Sequence, residues 1–181
     1  DLVTSGKVHY IGASSMFAWQ FQKAQYVAEK HGYTQFISMQ NHYNLVYRED
    51  ERELIPACMD MGVTLTPYSP LAAGRLARPW DGDSQRYKMD QRARQKYDET
   101  ESDDRLIVKR VEVLAKKKNV SMASISLAWL LNQEAVSAPI VGVTKIRQLE
   151  DAVKALDISL SQEELDDLEK LYKPHKVVGA R

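Results

Sequence analysis

Residues 8–31, VHYIGASSMFAWQFQKAQYVAEKH, decide the fold, because two periodicities meet inside one short stretch. Residues 8–13 are short, apolar and β-rich, and the segment that follows places Phe17, Phe21, Ala24, Val27 and Ala28 at helical spacing up to residue 31. This is one β/α unit. The alternation repeats outward from it. Residues 35–40 follow a turn at Gly32 and precede an acidic-start helix over 49–61 that carries Leu54, Ile55, Ala57 and Cys58. A third strand over 63–69 begins after Gly62, a helix stop, and ends in the turn signal Ser69-Pro70, with Pro67 weakening it from inside. Two helices return from it, 103–118 with Leu106, Val111 and Leu114 inward, and 121–132 with Ser121 as N-cap. Residues 138–143 read as a fourth strand, and Thr144 as the cap of a helix from 146 to about 156. Ser161 and Glu164 form a capping box for a last helix through Tyr172.

Four β/α units with no two-residue Asn-Gly or Asp-Gly turn imply a parallel sheet. Parallel strands carry helices on their faces, and four of them leave two edges open. An eight-stranded (β/α) barrel takes about 250 residues, so 181 residues come close to half of one plus insertions and a terminal helix. A small doubly wound sheet is the competing reading. Both put function in the loops after the strands.

Composition narrows the partners. With 25 basic and 25 acidic side chains the formal net charge is zero, which argues against a polybasic tail as the functional element. A 44% hydrophobic, 28% charged chain is an ordinary globular one, expected to form one domain. No apolar run reaches the roughly 18 residues of a membrane span. The lone Cys58 excludes an intramolecular disulfide and a thiolate metal cluster, and suits a reducing cytoplasm. The N-terminus lacks a secretory signal pattern and an initiator methionine, so the expectation is a chain that is processed, truncated or part of a longer protein. Nothing matches a zinc cluster, a Walker loop or a nucleic-acid module. His9 and His42, each beside a tyrosine, read as packed side chains. The charge-rich stretch at about 72–104 has no sustained period and reads as an inserted functional loop.

The four strands end in GASS (12–15), SMQN (38–41), PYSPLAAG (67–74) and VGVTKIRQLED (141–151). In this order and spacing the strings resemble the C-terminal half of the aldo-keto reductases, with the bacterial and fungal members nearest, over essentially the whole chain. The resemblance implies an α/β fold, the C-terminal half (four β/α units) of a TIM (β/α)8 barrel plus a C-terminal helix. Residues 1–181 would then be one partial barrel domain with an insertion at about 72–104.

It also implies a site for NADP. Ser14, Ser15 and Gln40 would hold the nicotinamide carboxamide, whose donors and acceptor suit hydroxyl and amide groups, and the Tyr68 ring would stack on the nicotinamide. Ser15 stands where the family usually has Asn. Ser69, Leu71, Gly74 and Arg75 would form the pyrophosphate strap, with small residues letting the backbone approach and Arg75 supplying charge. Residues 75–96 hold seven basic and three acidic side chains, a surplus a phosphate-rich ligand would use. Thr144, Lys145, Gln148 and Asp151, at a helix N-terminus, would take the adenosine 2′-phosphate end, favouring NADP over NAD. Ala152 stands where many family members carry Asn.

The family's catalytic Asp, Tyr, Lys and His belong to the first barrel half, and no residue of this chain matches them. The resemblance therefore implies the cofactor-binding half of an enzyme that reduces aldehydes or ketones to alcohols by hydride transfer, inactive or nearly so without its N-terminal half. The alternative is a non-catalytic NADP-binding or interaction module similar to reductase-like subunits. The implied partners are NADP(H), a small carbonyl substrate, and the missing half or a second copy of the chain.

Overall fold

The computed structural model describes residues 1–80 and 95–178. Strand β1 (Ile11–Ser14), helix α1 (Ala18–His31) and strand β2 (Phe36–Gln40) form the first unit. Helix α1 starts at Ala18, later than the apolar spacing suggests, because Ser15 is left-handed (φ 43°) and the Gln20 side chain then takes the Phe17 N–H at 2.9 Å. It stops at Gly32, whose φ of 67° suits a residue without Cβ. The helix is clamped to the sheet by a buried amide. Gln25 Nε2 donates to the Phe36 carbonyl at 2.8 Å, and its Oε1 accepts the Phe36 N–H at 2.9 Å. Both ends of the side chain are satisfied, so its burial costs little.

The 49–61 helix is divided. A 3-10 turn (Glu49–Arg52) precedes α2 (Leu54–Asp60), with Glu53 between them at φ −143°. Pro56 explains the late start, since its missing N–H is harmless only in a first turn. Strand β3 (Thr64–Leu65) completes a parallel sheet of order β1-β2-β3.

The strand expected over 138–143 is not formed. Leu65 instead makes an isolated parallel bridge with Val136, through Leu65 N–H to the Ala135 carbonyl (2.8 Å) and Ser137 N–H to the Leu65 carbonyl (3.0 Å). The Ile140 N–H reaches the Pro67 carbonyl at 2.8 Å, but Pro67 has no N–H to return and the ladder stops. Among the described residues the sheet therefore has three strands, where sequence periodicity implies four.

Helices α3 (Glu101–Lys118) and α4 (Met122–Leu131) pack on each other and share one apolar core with the strands; Val111 and Leu114 turn inward as expected, but Leu106 is exposed. Ser121 caps α4, accepting the Ser124 N–H at 3.0 Å. Phe21, Met39, Leu65, Val111, Ile125 and Trp129 are fully buried within one core cluster. Helix α5 (Ile146–Lys154) runs on into a 3-10 turn (Ala155–Asp157), and α6 (Gln162–Glu169) ends before Tyr172. The expected Ser161–Glu164 box is present, with bonds of 3.3 and 3.1 Å. Thr144 is not the side-chain cap of α5. Gln148 Oε1 reaches back to accept the N–H groups of Thr144 (2.8 Å) and Lys145 (3.1 Å).

Within the 72–104 stretch, Ala72–Ala77 is a kinked 3-10 segment and Asp98–Thr100 a 3-10 turn, and α3 begins at Glu101. Of the charged residues counted over 75–96, Arg75, Arg78 and Lys96 are described, and the others lie outside the described residues.

Candidate functional site

Parallel strands deliver their C-terminal ends to one side of the sheet, and the four residues read as a nicotinamide site all lie there. Ser14 is in register with Gln40. The Ser14 hydroxyl and the Ser15 N–H both donate to the Gln40 carbonyl, at 3.0 and 3.1 Å. One residue past that pair, the Tyr68 N–H donates to the Asn41 carbonyl at 2.9 Å and Tyr68 bridges His42. Ser15 and Tyr68 line a small recess of about 10 Å³ with His42, Asp50 and Val178. Gln40 is half-buried and Ser14 exposed; neither lines that recess.

Directly after Tyr68 the backbone turns left-handed repeatedly: Ser69 at φ 54°, Ala72 at 47°, Ala73 at 56° and Gly74 at 94°. Each non-glycine residue there costs on the order of 1 kcal/mol. Among the described residues only Ser15, Ser69, Ala72, Ala73 and Asn119 combine a side chain with such a φ, so the strain gathers at the sheet's C-terminal end. Strain persists where surrounding structure over-determines it, a common property of ligand sites.

The strap forms one wall of a cleft of about 370 Å³. Ser69, Leu71 and Gly74 face Gln148 and Asp151 of α5 across it. These residues come from separate loops, and α4 joins them: the Ser124 hydroxyl donates to the Asp151 carbonyl at 2.7 Å, and the Ser126 hydroxyl to the Leu76 carbonyl at 3.1 Å. Thr144 and Lys145 are exposed beside the cleft and do not line it.

Arg75 departs from its expected place. Its side chain is buried under the strap, with the guanidinium over the rings of Trp80 (5.0 Å) and Tyr97 (4.9 Å), and it does not line the cleft. Cation–π attraction to two aromatic faces favours the inward turn.

Sequence reasoning missed the support beneath the site. Residues 41–47 are buried without interruption although the run contains Asn41, His42 and Asn44. Asn44 Nδ2 donates to the Ser69 carbonyl at 2.9 Å and its Oδ1 accepts the Val46 N–H at 3.0 Å. His42 stacks between Tyr47 (4.1 Å) and Tyr68 (5.2 Å), and its Nε2 lies 2.6 Å from the Tyr97 hydroxyl. Burial, then the Lys96 and His175 charges, hold the His42 imidazole well below its usual pKa, so it is neutral at pH 7. Burial also raises the Asp50 carboxyl, opposed by the Asn41 hydrogen bond. The available signal was two asparagines alternating with aromatics directly after a strand end. Among the described residues no group of three His, Cys, Asp or Glu could hold a metal ion, and no helix is long and apolar enough to cross a membrane.

Comparison with known proteins gives the family. Residues 1–173 match the profile of the Aldo/keto reductase family. The chain is 47% identical over 184 residues to the versiconal hemiacetal acetate reductase of Aspergillus parasiticus, covering 98% of this chain and 52% of that protein. It is 45% identical over 180 residues to an aldo-keto reductase of Fusarium vanettenii (99% and 48%), and 44% over 179 residues to one of Alternaria alternata (99% and 48%). The chain thus spans about half the length of these relatives. A profile match across nearly the whole chain, with relatives of 44–47% identity along it, establishes that this chain belongs to the aldo/keto reductase family.

Proposed function

We propose that this chain is the NADP-binding half of an aldo-keto reductase whose whole form reduces aldehydes or ketones to alcohols. The observation that carries the reading is the cleft where Ser69, Leu71 and Gly74 meet Gln148 and Asp151. Its walls suit a diphosphate: a Cβ built at Gly142 meets nothing within 4 Å, and at Gly74 the nearest atom is Arg78 Nη2 at 3.8 Å, so the backbone there is open to close approach. Ser69, Leu71 and Gly74 would hold the diphosphate, with the Arg75 charge acting from beneath. The N-terminus of α5 with Thr144 and Lys145 would attract the 2′-phosphate, while Gln148 and Asp151 take the adenosine. Ser14, Ser15 and Gln40 would orient the carboxamide and Tyr68 would back the ring.

When bound, NADPH supplies the hydride that a carbonyl carbon accepts. The proton must come from a donor near the developing alkoxide, and in this proposal the first barrel half provides it. Two uncovered apolar faces support a fold that continues on both sides. Ile146 (78% exposed), Leu149, Val153 and Leu156 form one stripe along α5 and the turn after it, and Tyr10 and Trp19 flank β1. A half-barrel leaves such faces at its two open edges.

An NADPH-oxidation assay with a broad aldehyde panel tests the proposal, run on the 181-residue chain alone and on the chain supplied with a first barrel half. Turnover only in the second case is the expected result. Robust turnover by the chain alone contradicts the division of labour, and tight NADPH binding without turnover in either points to a binding module instead.

A further inference from the structure

We infer that His42 is a positioning residue that sets the angle of the Tyr68 ring, and that Tyr97 fixes His42 in turn. The inference rests on the reading of Tyr68 as the nicotinamide platform and adds to it a device held inside the protein.

Tyr68 is a half-buried ring at the lip of the sheet. A tyrosine on a turn can rotate about two side-chain bonds, and a platform for a flat ligand needs one orientation. His42 supplies the constraint from below. Its ring is nearly parallel to Tyr68 (13°) and to Tyr47 (16°), giving a three-ring stack from the core to the site. The bridge between His42 and Tyr68 keeps their backbones adjacent, so rotation of Tyr68 would break the stack.

His42 is itself fixed by one short bond. Asn44 Nδ2 donates to the Tyr97 hydroxyl oxygen at 3.2 Å, which directs the hydroxyl proton to His42 Nε2 at 2.6 Å. Nε2 is then the acceptor and the ring proton sits on Nδ1, which has no hydrogen-bond partner among the described residues, so the Tyr97 bond is what selects the tautomer. Tyr97 lies edge-on to the imidazole (71°), so the bond controls its rotation without competing for its faces. Asn44 also holds the Ser69 carbonyl, so one buried group steadies both the ring and the strained residue after it. His42 and Asn44 are 3% and 0% exposed, which keeps water from loosening the arrangement.

The test compares NADPH with 2′-phospho-ADP-ribose, which lacks the nicotinamide, by titration calorimetry on the 181-residue chain and its variants. For H42A the expected result is about tenfold weaker NADPH binding with 2′-phospho-ADP-ribose changed less than twofold, the size of one lost aromatic support. H42F, which keeps a flat ring, should recover most of that loss, and Y97F should show a smaller loss in the same direction. Equal weakening of both ligands, or no change in either, overturns the inference. A wild-type chain that binds 2′-phospho-ADP-ribose but gains nothing from the nicotinamide overturns the Tyr68 reading, and one that binds neither overturns the cofactor reading, each taking this inference with it. Nitrogen NMR of the ligand-free chain checks the device independently: His42 should show a protonated Nδ1 and bare Nε2 that becomes a mixture in Y97F, and the opposite tautomer contradicts it.

Discussion

His175 Nε2 meets Asp104 Oδ1 at 3.1 Å with both side chains buried, and this pair fastens the C-terminal tail to the first turn of α3. The Thr100 hydroxyl donates to the other Asp104 oxygen at 2.9 Å, while Glu49 Oε1 receives the His175 N–H and the Tyr172 hydroxyl, both at 2.6 Å. Further along, Val178 exchanges two bonds with the Tyr47 hydroxyl and lines the recess beside Tyr68. The tail is therefore part of the site's wall. Replacing His175 with Ala leaves a buried carboxylate with Thr100 as its remaining side-chain partner among the described residues, at a cost of about 3 kcal/mol. Urea denaturation reads that loss, and a loss under 1 kcal/mol contradicts the tether.

The neutral His42 makes stability depend on pH. Its folded pKa lies well below the ordinary value because of burial, then the Lys96 and His175 charges. Between the two values the unfolded chain binds the extra proton, so stability is full above about pH 6.5 and falls as pH drops toward the folded pKa. Denaturation midpoints at pH 7 and pH 5 should therefore differ less in His42→Phe than in the wild type. Equal differences would show that this imidazole is not held neutral.

The left-handed strap offers a trade between stability and binding. Ala73→Gly relieves a φ of 56° and should stabilise the chain by about 0.5–1 kcal/mol, while its wider backbone freedom should weaken NADPH binding. Ala73→Val should destabilise by more than 1 kcal/mol, since a β-branched residue tolerates that region poorly. Thermal unfolding with parallel NADPH titration checks both, and a destabilised glycine variant would show that the strain is not local.

Uncovered apolar surface should make the isolated chain self-associate. Ile146, Leu149, Val153 and Leu156 are all exposed, and surface changes away from special features cost within about 0.5 kcal/mol. Replacing Ile146, Leu149 and Val153 with Lys should therefore lower the scattering mass without lowering the unfolding temperature. A wild-type chain that stays monomeric at high concentration would show that this face needs no cover.

Several residues with a local signal are legible in the sequence, although Thr144, an equally local cap signal, does not cap α5. Phe21 and Ala28 announced the buried face of α1, Ser121 and Ser161 their caps, and Gly32 a helix end, because each effect is settled within one or two turns of chain. Residues 138–143 have a strand's composition, yet pairing depends on a partner distant in sequence, and Pro67 could not return a hydrogen bond. Arg75 shows the same limit. Its charge suggests an anion, while its side chain lies over Trp80 and Tyr97, contacts that the local sequence does not reveal. His42 reads as a packed side chain, and it is packed, but the parallel stack that makes it informative requires the register of β2 beside the residues after β3.

Amide hydrogen exchange with and without saturating NADPH tests the central claim most directly, because the strap and the start of α5 belong to one binding surface only if they respond together. The account predicts slowed exchange over residues 69–76 and 144–151 in the same experiment. Slowing confined to one segment, or to neither while binding is measured, contradicts it.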